Sequence, residues 1–133
     1  MPLIILLFTI LSVLNGEPVK NEKAVQDDPM ANCLKKSSFQ WGSNCKSCYN
    51  SAKSYRINLK NVCTEKIDVK VVVQERTNRW RSFYLNNMAP GDTISGYACE
   101  GTGKYVFWTK AAGDNNIVFP TDEEIANDLS FGK

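Results

Sequence analysis

The sequence predicts a small all-β domain, an antiparallel β-sandwich of about six strands with a disulfide-tied N-terminal loop and a short C-terminal helix. From position 55 onward, apolar and polar residues alternate in short runs, as half-buried strands require. Turn-forming residues separate these runs at short, fairly regular intervals. A length of 133 residues and a hydrophobic fraction of 43% are typical of one globular domain.

The N-terminus has the pattern of a secretory signal peptide. Positions 1–16 carry no charged side chain, and positions 3–14 are almost continuously apolar. This run of 12 residues is shorter than the roughly 20 that a membrane-spanning helix needs, so we expect no stable membrane insertion. It matches the apolar region of a secretory signal. We therefore expect a signal peptide over 1–16 and a secreted protein, extracellular or periplasmic.

The segment that follows is polar. Residues 17–32 contain Pro18, Pro29 and few apolar side chains, so we expect a flexible lead-in without core residues. The single disulfide-stabilised β domain then occupies 33–133. Its first part, 33–54, holds three cysteines among Ser, Asn and Gly, a composition that predicts loops held by cross-links.

Six strands are predicted from the alternating runs. The clearest is 67–74, where β-branched residues repeat at every second position and only Val72 interrupts the polar face, as in a half-buried strand. Turns are expected at 61–66, at Pro90-Gly91-Asp92, at Gly101–Gly103 and at 113–116. The predicted strands are 55–60, 67–74, 80–85, 93–99, 104–110 and 117–119.

A short helix is predicted at the C-terminus. Thr121 is a good N-cap, and Glu124 three residues later completes a capping box. Ile125 and Leu129 lie four residues apart and share one helix face. We expect this face to pack on the sheet.

The five cysteines predict disulfides, because an oxidising compartment favours them. Cys63 and Cys99 both follow predicted strands, so we expect a bridge between them. Cys33 is then expected to bond Cys45 or Cys48, fastening the N-terminal loop. The remaining cysteine has no partner within the chain and is available for an intermolecular disulfide.

Histidine is absent, which removes several catalytic arrangements. Ser-His-Asp and Cys-His mechanisms need an imidazole to move a proton near neutral pH. The carboxylates are scattered, and four of them lie in the predicted capping region and helix. The sequence therefore favours a protein that is not an enzyme and has no cofactor.

Two alternative functions would use the cysteine thiols directly, in redox chemistry or in metal binding. Cys45 and Cys48 form a C-x-x-C, the motif of thiol–disulfide redox proteins, although no βαβ pattern surrounds it. Cys33, Cys45, Cys48 and Cys63 are a possible Cys₄ zinc set, although only one pair is closely spaced. Because export favours oxidation, we expect no metal site and retain both alternatives as less favoured.

The favoured function is non-catalytic binding. Residues 33–120 hold 13 basic and 6 acidic residues, and the densest basic cluster surrounds a tryptophan on a predicted hairpin. Basic and aromatic groups together suit an anionic partner, and export favours a carbohydrate or a protein surface over nucleic acid. The alternatives are a solvated loop for the basic cluster and a core position for each strand aromatic. The candidate ligand-binding residues are Arg76, Arg79, Trp80, Arg81, Tyr105 and Trp108.

Overall fold

Two three-stranded antiparallel sheets form the fold in the computed structural model, which describes residues 30–42, 48 and 51–128. Sheet A has the strand order β1-β2-β5, and sheet B has the order β4-β3-β6. This architecture confirms the predicted all-β sandwich. Within the described residues the elements are β1 Leu34–Trp41, β2 Tyr55–Asn61, β3 Ile67–Glu75, β4 Trp80–Met88, β5 Thr93–Ala98, β6 Gly101–Ala111 and the helix α1 Asp122–Asn127.

The main core lies between the two sheets. On β2 every second residue is buried, beginning with Tyr55, while the residues between them reach solvent at least in part. This alternation places Ile57 and Leu59 on the inner face of sheet A, opposite the apolar side of β3. From β3, Val69, Val71 and Val73 complete the contact between the sheets.

The prediction that β3 is half-buried is wrong, because both of its faces are covered. β3 is the central strand of sheet B, and the C-terminal segment lies across the outer face of that sheet. Val72, Trp108 and Ile125 form a second apolar cluster there. The polar residues of the same face are therefore buried with it, including Lys70, which is 1% exposed.

The C-terminal segment is held by its cap and by Lys70. Thr121 and Glu124 form the predicted capping box, and Ile125 packs inward at 1% exposure. The Lys70 ammonium donates to the Pro120 carbonyl at 2.7 Å and to Asp122 Oδ1 at 2.8 Å. A charge that is buried in this way requires such partners. Leu129, the other predicted contact, lies outside the described residues.

The sequence does not predict the first strand of the fold. β1 occupies part of the predicted loop region, and seven of its eight residues are exposed. As the edge strand of sheet A it pairs only with β2, with an irregularity in register between Lys36 and Ser38. Because β1 buries little, it shows weak apolar alternation, and its pairing with β2 is what makes it a strand.

Two predictions near β6 are also wrong. Gly101–Gly103 begins β6, and the turn before it falls at Cys99 and Glu100. Residues 117–119 form no strand; instead, Lys110 Nζ donates to the Ile117 carbonyl at 3.0 Å as this segment leads to α1. The apolar run at 117–119 packs partly on the second cluster through Phe119 rather than pairing in a sheet.

The predicted signal peptide and most of the lead-in, residues 1–29, lie outside the described residues. The end of the lead-in contributes to the core, since Met30 packs against it and Ala31–Cys33 forms a 3₁₀ turn into β1. Among the described residues, no helix has the length and hydropathy to cross a bilayer.

Candidate functional site: the hairpin end of the sandwich

The two disulfides differ from the predicted pairing. Cys33 bonds Cys63 (the N-terminal bridge), and Cys48 bonds Cys99 (the end bridge), each with a Cα–Cα distance of 5.0 Å. The predicted Cys63–Cys99 bridge is wrong because β2 and β5 are antiparallel, with Lys60 opposite Thr93. The residues that follow these two strands therefore lie at opposite ends of sheet A.

These bridges bear on both cysteine alternatives. Cys48 is bonded to Cys99, so it is not paired with Cys45 as a C-x-x-C redox disulfide requires. Cys33, Cys48 and Cys63 are in disulfides and supply no thiolate for zinc. Cys45 itself lies outside the described residues. No cluster of three or more His, Cys, Asp or Glu side chains in the described part of the chain is placed to hold a metal.

One end of the sandwich gathers several exposed groups. We call it the hairpin end and define it by Trp41, Tyr55, the β3–β4 turn at 76–79 and the β5–β6 turn at 99–100. Trp41 pairs with Tyr55 in sheet A. The two turns are joined by the Arg76 amide, which donates to the Glu100 carbonyl at 2.8 Å. The end bridge closes the same end.

The predicted basic cluster lies on this end, but its members differ. Arg76 and Arg79 are exposed on the β3–β4 turn, and neither side chain is ion-paired within the described residues. Trp80 is half-buried and packs on the second cluster. Arg81 lies 3.3 Å from Glu75 and stacks on Tyr97 at 4.8 Å from the ring centroid. Its charge is therefore already partnered, which leaves Arg76 and Arg79 as the cations available to a ligand.

The two aromatics predicted on β6 face opposite sides of sheet B. Tyr105 is partly buried against the main core, in register with Val73. Trp108 is 8% exposed and lies in the second cluster beside Val72. Because the C-terminal segment covers this outer face, Trp108 presents no open ring face, and we leave it out of the candidate surface.

An exposed aromatic pair on β1 was missed by the sequence-based site prediction. Phe39 is 51% exposed and Trp41 is 50% exposed. The Trp41 ring packs on Tyr55 with centroids 4.8 Å apart, and a Cβ at Gly103 would lie 3.1 Å from it. Gly103 also has a φ of +88°, so glycine suits this position for two reasons. The signal in the sequence was the alternation of Phe39 and Trp41 with polar neighbours.

Tyr55 supports this pair as a neutral phenol. Burial, and the nearby Tyr105, raise the pKa of Tyr55 above its ordinary value of 10.0. Gly101 lies directly against Tyr55, since a Cβ there would be 2.5 Å from Tyr55 Cβ. Tyr55 is therefore the buried ring on which Trp41 packs, and it links β1 to β6.

The hairpin end thus combines two exposed guanidinium groups with an indole that is packed on one side and open to solvent. Guanidinium groups bind carboxylate and sulfate-like oxygens through paired donors, and an indole offers a flat apolar surface. Such a set can bind but contains no nucleophile positioned beside a base. Comparison with protein-family models, with curated proteins and with solved structures finds no match to this chain.

Proposed function

We propose that this is an exported, non-catalytic binding protein that attaches to an acidic polysaccharide through the hairpin end. The observation that carries the proposal is the location of Arg76, Arg79 and Trp41 on one end of the sandwich, all with side chains open to solvent.

The chemistry of these groups favours a sugar polymer with anionic substituents. Arg76 and Arg79 each offer a planar fork of donors to a carboxylate or sulfate group. Trp41 offers the flat apolar surface on which the C–H face of a sugar ring can pack. Because all three are solvent-exposed, each charged contact contributes only about 0.2–1 kcal/mol, so affinity depends on several contacts and falls with salt.

Export and the lack of catalysis have separate support. The apolar N-terminal run resembles a secretory signal, and two disulfides are typical of extracellular proteins. The chain contains no histidine. A stable disulfide-linked sandwich suits a role in which the protein holds a ligand and leaves it unchanged.

The test is binding to heparin at low salt, with neutral dextran as the negative control. We expect the R76Q/R79Q variant to bind heparin about 2- to 30-fold more weakly, as the loss of two exposed charge contacts predicts. The matched control is K66Q, which removes an exposed cation in the β2–β3 loop at the opposite end. Heparin affinity in R76Q/R79Q equal to that of K66Q would contradict the proposal.

A protein surface is a second candidate ligand, favoured by the exposed edge of sheet A. β1 is an edge strand with two half-exposed aromatics, and such edges can accept an added strand. Strand addition would protect the outward β1 amides from hydrogen exchange, whereas polysaccharide bound at Arg76 and Arg79 would leave them unprotected. A W41A variant that loses a protein ligand but retains heparin binding would favour this second function.

A further inference from the structure

Within the strands of sheet A, every charged side chain on the outer face is positive. None of its three strands contains Asp or Glu. Alternation and register define which side chains point away from the core. The outer-face residues are Lys35, Ser38 and Gln40 on β1, Arg56, Asn58 and Lys60 on β2, and Thr93 and Ser95 on β5. Tyr97 has the same register, but its ring packs on Phe83 of sheet B, with centroids 5.2 Å apart.

Two of the cations are placed side by side. Lys35 and Lys60 are direct cross-strand partners, and both are exposed. Like charges directly opposite one another destabilise a sheet. Neither lysine is ion-paired within the described residues, so no carboxylate offsets the repulsion. The pair therefore does not help folding, and an external anion would relieve it.

The face is continuous with the hairpin end through an arginine. Arg56 follows Tyr55 of the hairpin end on β2 and lies in register with Tyr97, whose ring centroid is 4.8 Å from the Arg81 guanidinium. The Arg56 Nε is buried and has no hydrogen-bond partner within the described residues. Lys60 lies four residues further along β2, roughly 14 Å away at the rise of a strand.

The middle of the face is polar and already hydrogen-bonded. Asn58 donates to Ser38 at 2.8 Å and accepts from Ser95, so the three strands are linked across this row. None of the outer-face residues of this row is aliphatic, so the row gives an apolar partner no docking point. A polar surface with cations spaced along it suits an extended chain of regularly spaced anionic groups.

We propose that the outer face of sheet A binds the continuation of a linear anionic polysaccharide, which runs from the hairpin end past Arg56 to Lys60 and Lys35. This inference rests on the proposed function and adds that the ligand is a long chain. A short oligosaccharide binds at Arg76 and Arg79, and a longer one gains affinity by reaching the paired lysines.

The experiment measures binding to a series of heparin oligosaccharides of increasing length at several salt concentrations. For the unmodified protein we expect affinity to rise with chain length. The K35Q/K60Q variant should bind the shortest oligosaccharide as before but lose about 2- to 30-fold in affinity for the longest. The slope of its log affinity against log salt concentration should also become less steep by about one to two units. The reason is that two fewer cations release counterions from the polyanion.

Two controls separate this inference from the proposed function. K66Q removes an exposed lysine in the β2–β3 loop, six positions after Lys60, and it should bind every oligosaccharide as the unmodified protein does. R76Q/R79Q should weaken binding at all chain lengths. Because K35Q/K60Q removes a repulsive pair, urea unfolding should show that it unfolds no earlier than the unmodified protein.

The outcomes are distinct. If K35Q/K60Q matches K66Q at every chain length while R76Q/R79Q binds weakly, the sheet A inference is overturned and the hairpin-end function stands. If K35Q/K60Q binds weakly and R76Q/R79Q does not, the hairpin-end function is overturned, and so is the continuation from that end, because the ligand then binds sheet A alone. No heparin binding by the unmodified protein at low salt overturns both.

Discussion

The buried ammonium of Lys70 makes Asp122 a sensitive position. Lys70 Nζ has two oxygen partners, the Pro120 carbonyl and Asp122 Oδ1, and lies 5.0 Å from the centroid of Tyr84. Replacing Asp122 with Asn keeps the size of the side chain but removes its charge. The cation then stays buried with one neutral oxygen, one amide and an aromatic ring around it, so D122N should be destabilised.

The size of this effect follows from the exposure of the two partners. The Lys70 side chain is 1% exposed, whereas the Asp122 side chain is 66% exposed. A hydrogen bond to a charged group contributes about 1.5–3 kcal/mol, and water screening on the Asp122 side reduces this to about 1–2 kcal/mol. In a domain of this size that corresponds to a decrease in Tm of roughly 5–15 °C.

The assay is urea unfolding of the oxidised protein, followed by circular dichroism and by tryptophan emission. Trp108 lies beneath the C-terminal segment, so its emission reports local detachment of that segment as well as global unfolding. The control is E123Q, which removes one charge from the same helix turn at an exposed side chain. We expect E123Q to change stability by no more than about 0.5 kcal/mol.

A second variant tests the cause. K70M/D122N removes the cation together with its partner, and replacing a buried ion pair by an apolar group is often neutral or stabilising. K70M/D122N should therefore be more stable than D122N alone. A D122N variant that unfolds at the same urea concentration as E123Q, or a double variant that is less stable than D122N, would contradict this role of Asp122.

The pH dependence has a definite sign. The hydrogen bond from Lys70, with that from Ser82, holds the pKa of Asp122 below its ordinary value of 3.8. A carboxyl whose pKa is lowered by folding stabilises the folded state at pH values above its pKa in the unfolded state. This stabilisation is lost as the pH falls through its pKa in the folded state. The difference in stability between the unmodified protein and D122N should thus be constant above about pH 5 and shrink below pH 3.8.

Three further predictions concern the backbone, the core and the disulfides. G103A should be about 1 kcal/mol less stable than G91A, because both glycines have positive φ (+88° and +87°) but only the Gly103 Cβ would meet Trp41; equal losses would contradict this contact. N61A should lose about 3 kcal/mol in urea unfolding, since Asn61 donates to two carbonyls and accepts from one amide; a loss below about 1 kcal/mol would contradict it. Peptide mapping without reduction should recover the N-terminal bridge and the end bridge, and alkylation of the unreduced protein should modify no cysteine except Cys45.

The alternation of apolar and polar residues was sufficient to predict a strand wherever that strand buries one full face. β2 alternates between buried and more exposed positions as its sequence indicates, and the capping box of Thr121 and Glu124 forms as predicted. These features depend on residues close together in the chain. β1 was not predicted because it is an edge strand with one buried residue, so its own composition contains little trace of the pairing that forms it.

The candidate surface was likewise predictable only in the part that depends on neighbouring residues. The cluster at 76–81 was visible because its arginines are close in sequence, but only the contact with Glu75 and Tyr97 distinguishes Arg81 from its neighbours. Trp41 reaches the hairpin end through the β1–β2 pairing. Trp108 is withdrawn from solvent by a segment that follows it in the chain, which periodicity within β6 cannot reveal.

The sequence by itself determined the all-β class, the central strands, the capped C-terminal helix and the excess of positive charge, because each depends on composition or on neighbouring residues. Tertiary structure alone decided which cysteines bond, which face of each sheet is covered and which cations remain unpaired. The physical reason is that these depend on antiparallel order and on contacts between segments far apart in the chain. Cys63 and Cys99 each follow a strand, yet the opposite directions of β2 and β5 place them at opposite ends of one sheet.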